Sequence, residues 1–93
     1  MNIVWDKKKN EINIKKHGIS FELATKIFLD EARIEWYDEN HSTDEDRYIT
    51  IGLVGEVLFV VYTEREKNIR LISARLANKD EKEAYYENKK RKK

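Results

Sequence analysis

Seven side chains in the sequence are suited to handling a phosphate ester: Lys16, His17, Arg65, Arg70, Ser73, Arg75 and Tyr85. An arginine guanidinium is planar, forked and permanently charged. Several of them on one sheet suit the oxygens of a phosphate and the charge that builds on a phosphorane. Cleaving RNA asks for little more, because its own 2′-hydroxyl can attack the neighbouring phosphate. A protein then need only orient the chain, neutralise charge and move protons. On this reading Arg65, Arg75, His17 and Tyr85 are the candidate catalytic groups, while Lys9, Lys16, Arg70 and Ser73 hold the RNA. Each also has a plain structural explanation. His17 precedes Gly18 and can bond the exposed carbonyls of a helix end, and Arg65 begins a turn. Arg70 and Arg75 bound a strand, where charge guards against edge pairing. Tyr85 follows Ala77 and Glu81 at helical spacing, as core residues do.

Other chemistries have less to work with. His17 and His41 are the only histidines, they lie far apart, and no H-E-x-x-H occurs. Asp44-Glu45-Asp46 reads as a polar loop before it reads as a cation site. The three glycines form no phosphate-binding loop, and no serine sits in a G-x-S-x-G elbow. The lack of cysteine removes disulfides and thiol nucleophiles. No cofactor and no metal are therefore expected. The longest apolar run, residues 57–62, is too short to span a bilayer, and the N-terminus lacks a signal-peptide core, so a cytoplasmic protein is expected.

The net charge of +1 hides a segregation along the chain. Residues 1–19 carry five lysines against two acids, residues 20–64 three bases against eleven acids, and residues 65–93 eleven bases against five acids. If the two basic ends meet in the fold they make a positive patch, the footprint of a phosphate-backbone binder. Ninety-three residues, 40% hydrophobic and 40% charged, fit one domain over residues 1–93 with one core and a heavily solvated surface.

The elements that must position these groups follow from periodicity. Ile3-Val4-Trp5 reads as a short opening strand, and Asp6 as the N-cap of a helix through about Lys16 that Gly18 stops. Lys9, Asn13 and Lys16 share one face of it. Ser20 caps a second, amphipathic helix whose buried stripe is Phe21, Ala24, Ile27 and Phe28. Segments 33–37, 47–54, 57–63 and 69–75 read as strands, with 57–63 central, a loop at 38–46, a reversal at Gly55-Glu56 and a turn at 66–68. A last helix from Lys79 through Asn88 is capped by Asn78. The order predicts an α+β fold with helices on one face of a mainly antiparallel sheet. In a regular hairpin Arg65 and Arg75 stand about 20 Å apart, too far to grip one phosphate.

Together these positions resemble the BrnT toxin family, a branch of the RelE-like ribonucleases. The opening W-D-x-x-K-x-x-x-N-x-x-K-H-G is present as Trp5-Asp6, Lys9, Asn13 and Lys16-His17-Gly18, followed by Ser20-Phe21-Glu22, Ala24 and Phe28. A second block is His41-Ser42, Glu45, Arg47 and Gly52, then Tyr62, Glu64-Arg65, Arg70 and Ile72-Ser73-Ala74-Arg75; a third is Ala77, Glu81 and Tyr85. Leu76 and Asn78 depart from the pattern, standing where many relatives carry a further base and a Thr or Ser cap. The resemblance implies a RelE-like sheet with two N-terminal helices and one C-terminal helix. It further implies a cytoplasmic endoribonuclease toxin that needs no cofactor, arrests growth by cutting RNA and is masked by a BrnA-like ribbon-helix-helix antitoxin. Operator DNA is then reached only through that antitoxin. A non-catalytic module whose basic surface docks an antitoxin or nucleic acid is the alternative, and a purely structural interaction protein a weaker third.

Overall fold

Asp6 accepts a hydrogen bond from the Lys9 amide at 2.9 Å and opens helix α1, Lys7–His17. Gly18, at φ +73°, closes it by donating its amide to the Ile14 carbonyl. Ser20 caps α2, Phe21–Ala24, in the same manner as Asp6, with the Leu23 amide at 3.0 Å. The expected long second helix is instead this single turn, continued by a 3-10 segment at Thr25–Leu29. Of its expected buried stripe, Phe21, Ala24 and Ile27 are in the core, and Phe28 packs against it half-buried. The computed structural model describes residues 2–91.

Five strands follow the alternation of the sequence: β1 Ile3–Val4, β2 Ile34–Tyr37, β3 Arg47–Val54, β4 Glu56–Arg65 and β5 Asn68–Leu76. They lie in the order β1-β5-β4-β3-β2, so β4 is central as expected. All pairings are antiparallel except that of β1 with β5, which is parallel. Glu66 and Lys67, both at positive φ (52° and 68°), turn β4 into β5. One register shift breaks the β4–β5 ladder: Val61 faces Ser73 and Tyr62 faces Leu71, which leaves Ile72 as an extra, bulged residue.

Alternation along β4 divides the core between the two faces of the sheet. Leu58, Val60 and Tyr62, with Leu71 and Ala74, pack against Ile19, α2 and the 3-10 segment. Val57, Phe59 and Val61, with Ile49 and Ile51, face the other way and meet Ala77 and Tyr85. Tyr85 belongs to α3, Lys79–Arg91, so the last helix covers the opposite face and the helices are not all on one side. Asn78 and Glu81 exchange hydrogen bonds as a capping box at its start, 2.8 Å each way.

Two polar side chains fasten these layers. Asn13 of α1 donates to the carbonyls of Ile19 and Ala74 and accepts from the Ala74 amide, taking the place of a neighbouring strand where β1 has ended. Asp30 accepts from the Leu53 amide, beyond the last β2 pair, and from the Tyr85 hydroxyl of α3 at 2.6 Å. No helix among the described residues is long and apolar enough to cross a membrane.

Candidate active site

Helix α3 covers only part of its face, and the uncovered part is a groove of about 480 Å³. Its floor is apolar and aromatic: Ile49, Phe59, Val61, Ile72 and Trp36. Its rim is polar, formed by Asp38, Asn40, His41, Arg47, Ser73 and Arg75. Register places Arg70 on this same face, opposite Thr63, which in turn pairs with Arg47. The cation-bearing positions of two strands, β3 and β5, thus look out on one side.

Arg75 is held by its surroundings. Its guanidinium lies 3.9 Å over the Phe59 ring and makes a bidentate pair with Glu81, Nη1 to Oε1 at 2.8 Å and Nη2 to Oε2 at 2.9 Å. Nη1 also donates to the Leu76 carbonyl. Arg75, together with the Asn78 amide, holds the Glu81 carboxyl below the usual carboxylate range against the effect of burial, so the pair stays ionised. Glu81 takes the Nη1/Nη2 end of the fork. The Nε and remaining Nη2 donors have no partner among the described residues, which leaves one edge for a second anion.

A second, smaller depression of about 180 Å³ is lined by Lys9, Ile12, Asn13, Lys16, His17, Ile72 and Ser73. Ile72 and Ser73 line both, so the bulge is a saddle between them. A bulge re-aims side chains beside it, and here it turns the Ile72–Ser73 step toward the helix that carries the lysines. The two basic stretches of the chain meet at this point.

Of the residues singled out from sequence, the structure therefore brings Lys9, Lys16, His17 and Ser73 together, with Arg75 next along the groove and Arg70 on the same face. Arg65 and Tyr85 stand apart. Arg65 pairs across the hairpin end with Asn68 and makes an exposed ion pair with Glu45 at 3.0 Å. It lies six positions along β4 from Phe59, the partner of Arg75, about 20 Å at the usual rise, and the bulge does not close that gap. Tyr85 is fully buried with its hydroxyl on Asp30. Burial and that carboxylate both raise its pKa, so the phenol keeps its proton and serves as a core anchor.

Sequence reasoning gave no role to Trp36, Asp38, Asn40 or Phe59 and named His41 and Arg47 only as positions of the family pattern, yet all six line the groove. The 38–46 stretch read as a solvated loop, yet Glu39–His41 is a 3-10 turn folded onto the start of β3. The available signal was the Asp-x-x-His spacing of Asp38 and His41, which one helical turn converts into a contact: Nδ1 lies 2.9 Å from Oδ2. Among the described residues no three His, Asp or Glu side chains gather as metal ligands.

Residues 5–81 match the family described as the ribonuclease toxin, BrnT, of type II toxin-antitoxin systems. The chain belongs to the BrnT family. Membership covers the whole groove and the α1 depression, and it carries an antitoxin partner with it, since toxins of this type are one half of a pair. No curated protein matches the sequence closely enough to add a second comparison.

Proposed function

We propose that this BrnT-family chain cuts single-stranded RNA in the groove between α3 and the turn before β3, by attack of the substrate's 2′-hydroxyl on the adjacent phosphate. The observation that carries the reading is the groove's composition. An aromatic and apolar floor suits unstacked bases, and a rim of Arg47, Arg75 and Ser73 suits the phosphates between them. Arg75, with one donor edge left over by Glu81, would bind the scissile phosphate and stabilise the charge of the phosphorane. Arg47, Arg70 and Ser73 flank it. Lys9, Lys16 and His17 hold the strand as it crosses the bulge, and Arg65 meets a more distant phosphate at most. Cleavage of cellular RNA would arrest growth in the cytoplasm, and a BrnA-like antitoxin binding operator DNA would mask the groove.

The test is expression of the chain without the gene beside it, together with cleavage of defined RNA by purified protein. Growth arrest and fragments ending in a 2′,3′-cyclic phosphate are expected, with both lost in Arg75→Ala. Arg75→Lys, which keeps the charge and removes the fork, is expected to lose most of the cleavage with the fold intact. A protein that binds RNA without cutting it would instead be a docking module, and the catalytic reading would fall.

A further inference from the structure

We propose that His41 is the proton acceptor of the cleavage reaction and that Asp38 is its positioning residue, an inference that rests on the ribonuclease reading above. Among the described residues that line the groove, only His41 and Asp38 carry an imidazole or a carboxyl group, the side chains that serve as general bases. Asp38 is already engaged. Its side chain is 11% exposed against 69% for His41, so the carboxylate is tucked under a ring that stands out in the groove.

The turn that presents the ring is tied at several points. The Ser42 hydroxyl donates to the Asp38 carbonyl at 2.6 Å and accepts from the Arg47 amide at 2.9 Å. The Asp38 amide donates to the Arg47 carbonyl at 2.8 Å. Asp38 is thereby fixed against the first residue of β3, and its Oδ2 receives Nδ1 of the imidazole at 2.9 Å. A carboxylate on Nδ1 keeps the proton on that nitrogen, so the lone pair resides on Nε2. Nε2 has no partner among the described residues. The charged groups sharing the groove with the ring are Asp38 on its own turn, Arg47 of β3 and Arg75 of β5. The two arginines fit the phosphate, and the imidazole fits the hydroxyl beside it.

The step balances without a further reagent. The O2′–P bond forms as the 2′-hydroxyl proton passes to Nε2, and the P–O5′ bond breaks. The leaving O5′ takes a proton from water, and the imidazolium returns its own proton to the hydroxide so formed. The products are a 2′,3′-cyclic phosphate and a 5′-hydroxyl.

Steady-state cleavage of an oligoribonucleotide across a range of pH tests this in four proteins: the wild type, His41→Ala, Asp38→Asn and His17→Ala. His41→Ala is expected to lose roughly 10²- to 10⁴-fold in kcat with little change in KM, the range for a general base. It should also lose the acid limb of the pH profile and recover activity with added imidazole. Asp38→Asn puts an N–H against Nδ1 and moves the ring proton to Nε2, so kcat falls while the ring remains. His17→Ala should raise KM and keep the acid limb. Wild-type kcat and pH profile in His41→Ala would overturn the proposal, as would a loss that tracks only the folded fraction and does not respond to imidazole. A wild-type protein that cleaves no RNA overturns the ribonuclease reading itself, a separate and recognisable failure.

Discussion

Asp30 gathers three donors on one carboxylate: the Tyr85 hydroxyl and the amides of Leu53 and Ala32. Burial alone would raise its pKa, but these hydrogen bonds and the charge of Lys89 hold it below the ordinary carboxylate value. A depressed carboxylate contributes stability that is complete above its unfolded pKa and is lost as pH falls through the folded one. Asp30→Asn places an amide N–H where two donors converge. It should cost about 1–3 kcal/mol at neutral pH, and it should flatten the decline of stability in acid below the usual carboxylate range. Urea midpoints measured across pH check both. An unchanged acid decline in the variant would mean that other carboxylates carry it. The same contact explains Tyr85, whose place in the sequence motif is accounted for by joining α3 to the 3-10 segment on the other face of the sheet.

Close approach of that 3-10 segment to the sheet depends on Gly52. A Cβ there would lie 2.6 Å from Cγ1 of Ile27, a fully buried side chain, and 3.0 Å from Cβ of Arg33. Gly52→Ala is therefore expected to destabilise by about 1–3 kcal/mol, with a lowered thermal midpoint as the measurement, because the neighbours are fixed on both sides. A neutral substitution would mean that the segment slides to make room. The elements themselves were largely legible: Asp6, Ser20 and Asn78 cap where their local hydrogen bonding dictates, and Gly18 stops α1 because it accepts a positive φ. What escaped was set by partners distant in sequence. The bulge at Ile72 exists only in the register of β5 against β4, and no local residue announces it. The turn after β4, by contrast, is legible at Glu66-Lys67-Asn68, although Glu66 and Lys67 take its positive φ in place of the Asn-Gly that marks such turns. Asn13 read as one of a row of surface polar residues, because its carbonyl partner at Ala74 is sixty-one residues away. Half of the groove's polar rim, Asp38, Asn40 and His41, lay in the acidic stretch for the same reason. Asp38 and His41 acquire a role only when Ser42 clasps the turn to Arg47.

At the scale of the molecule, the segregation of charge becomes geometry. α1, from the basic N-terminal stretch, packs against β5, from the basic C-terminal stretch, and the two depressions they line meet at Ile72–Ser73. A strand of RNA lying from the Arg75 groove over the bulge to Lys9 and Lys16 would contact phosphates on both sides of the cleaved bond, whereas RNA confined to the groove would not sense α1 at all. Salt separates these two paths. Each phosphate neutralised on a single strand releases counterions and contributes about 0.7 to the fall of log K with log salt concentration. RNA that is 2′-O-methylated throughout keeps every phosphate and lacks the attacking hydroxyl, so its binding can be followed without cleavage. The Lys9→Ala/Lys16→Ala variant is expected to bind it more weakly at low salt, with the slope flattened by about 1.4 for two lost contacts. Affinities of the two proteins should converge as salt rises and screening removes the difference. An unchanged slope would keep the RNA off α1, leave those lysines as solvated surface, and confine the nucleic acid to the face between α3 and the His41 turn.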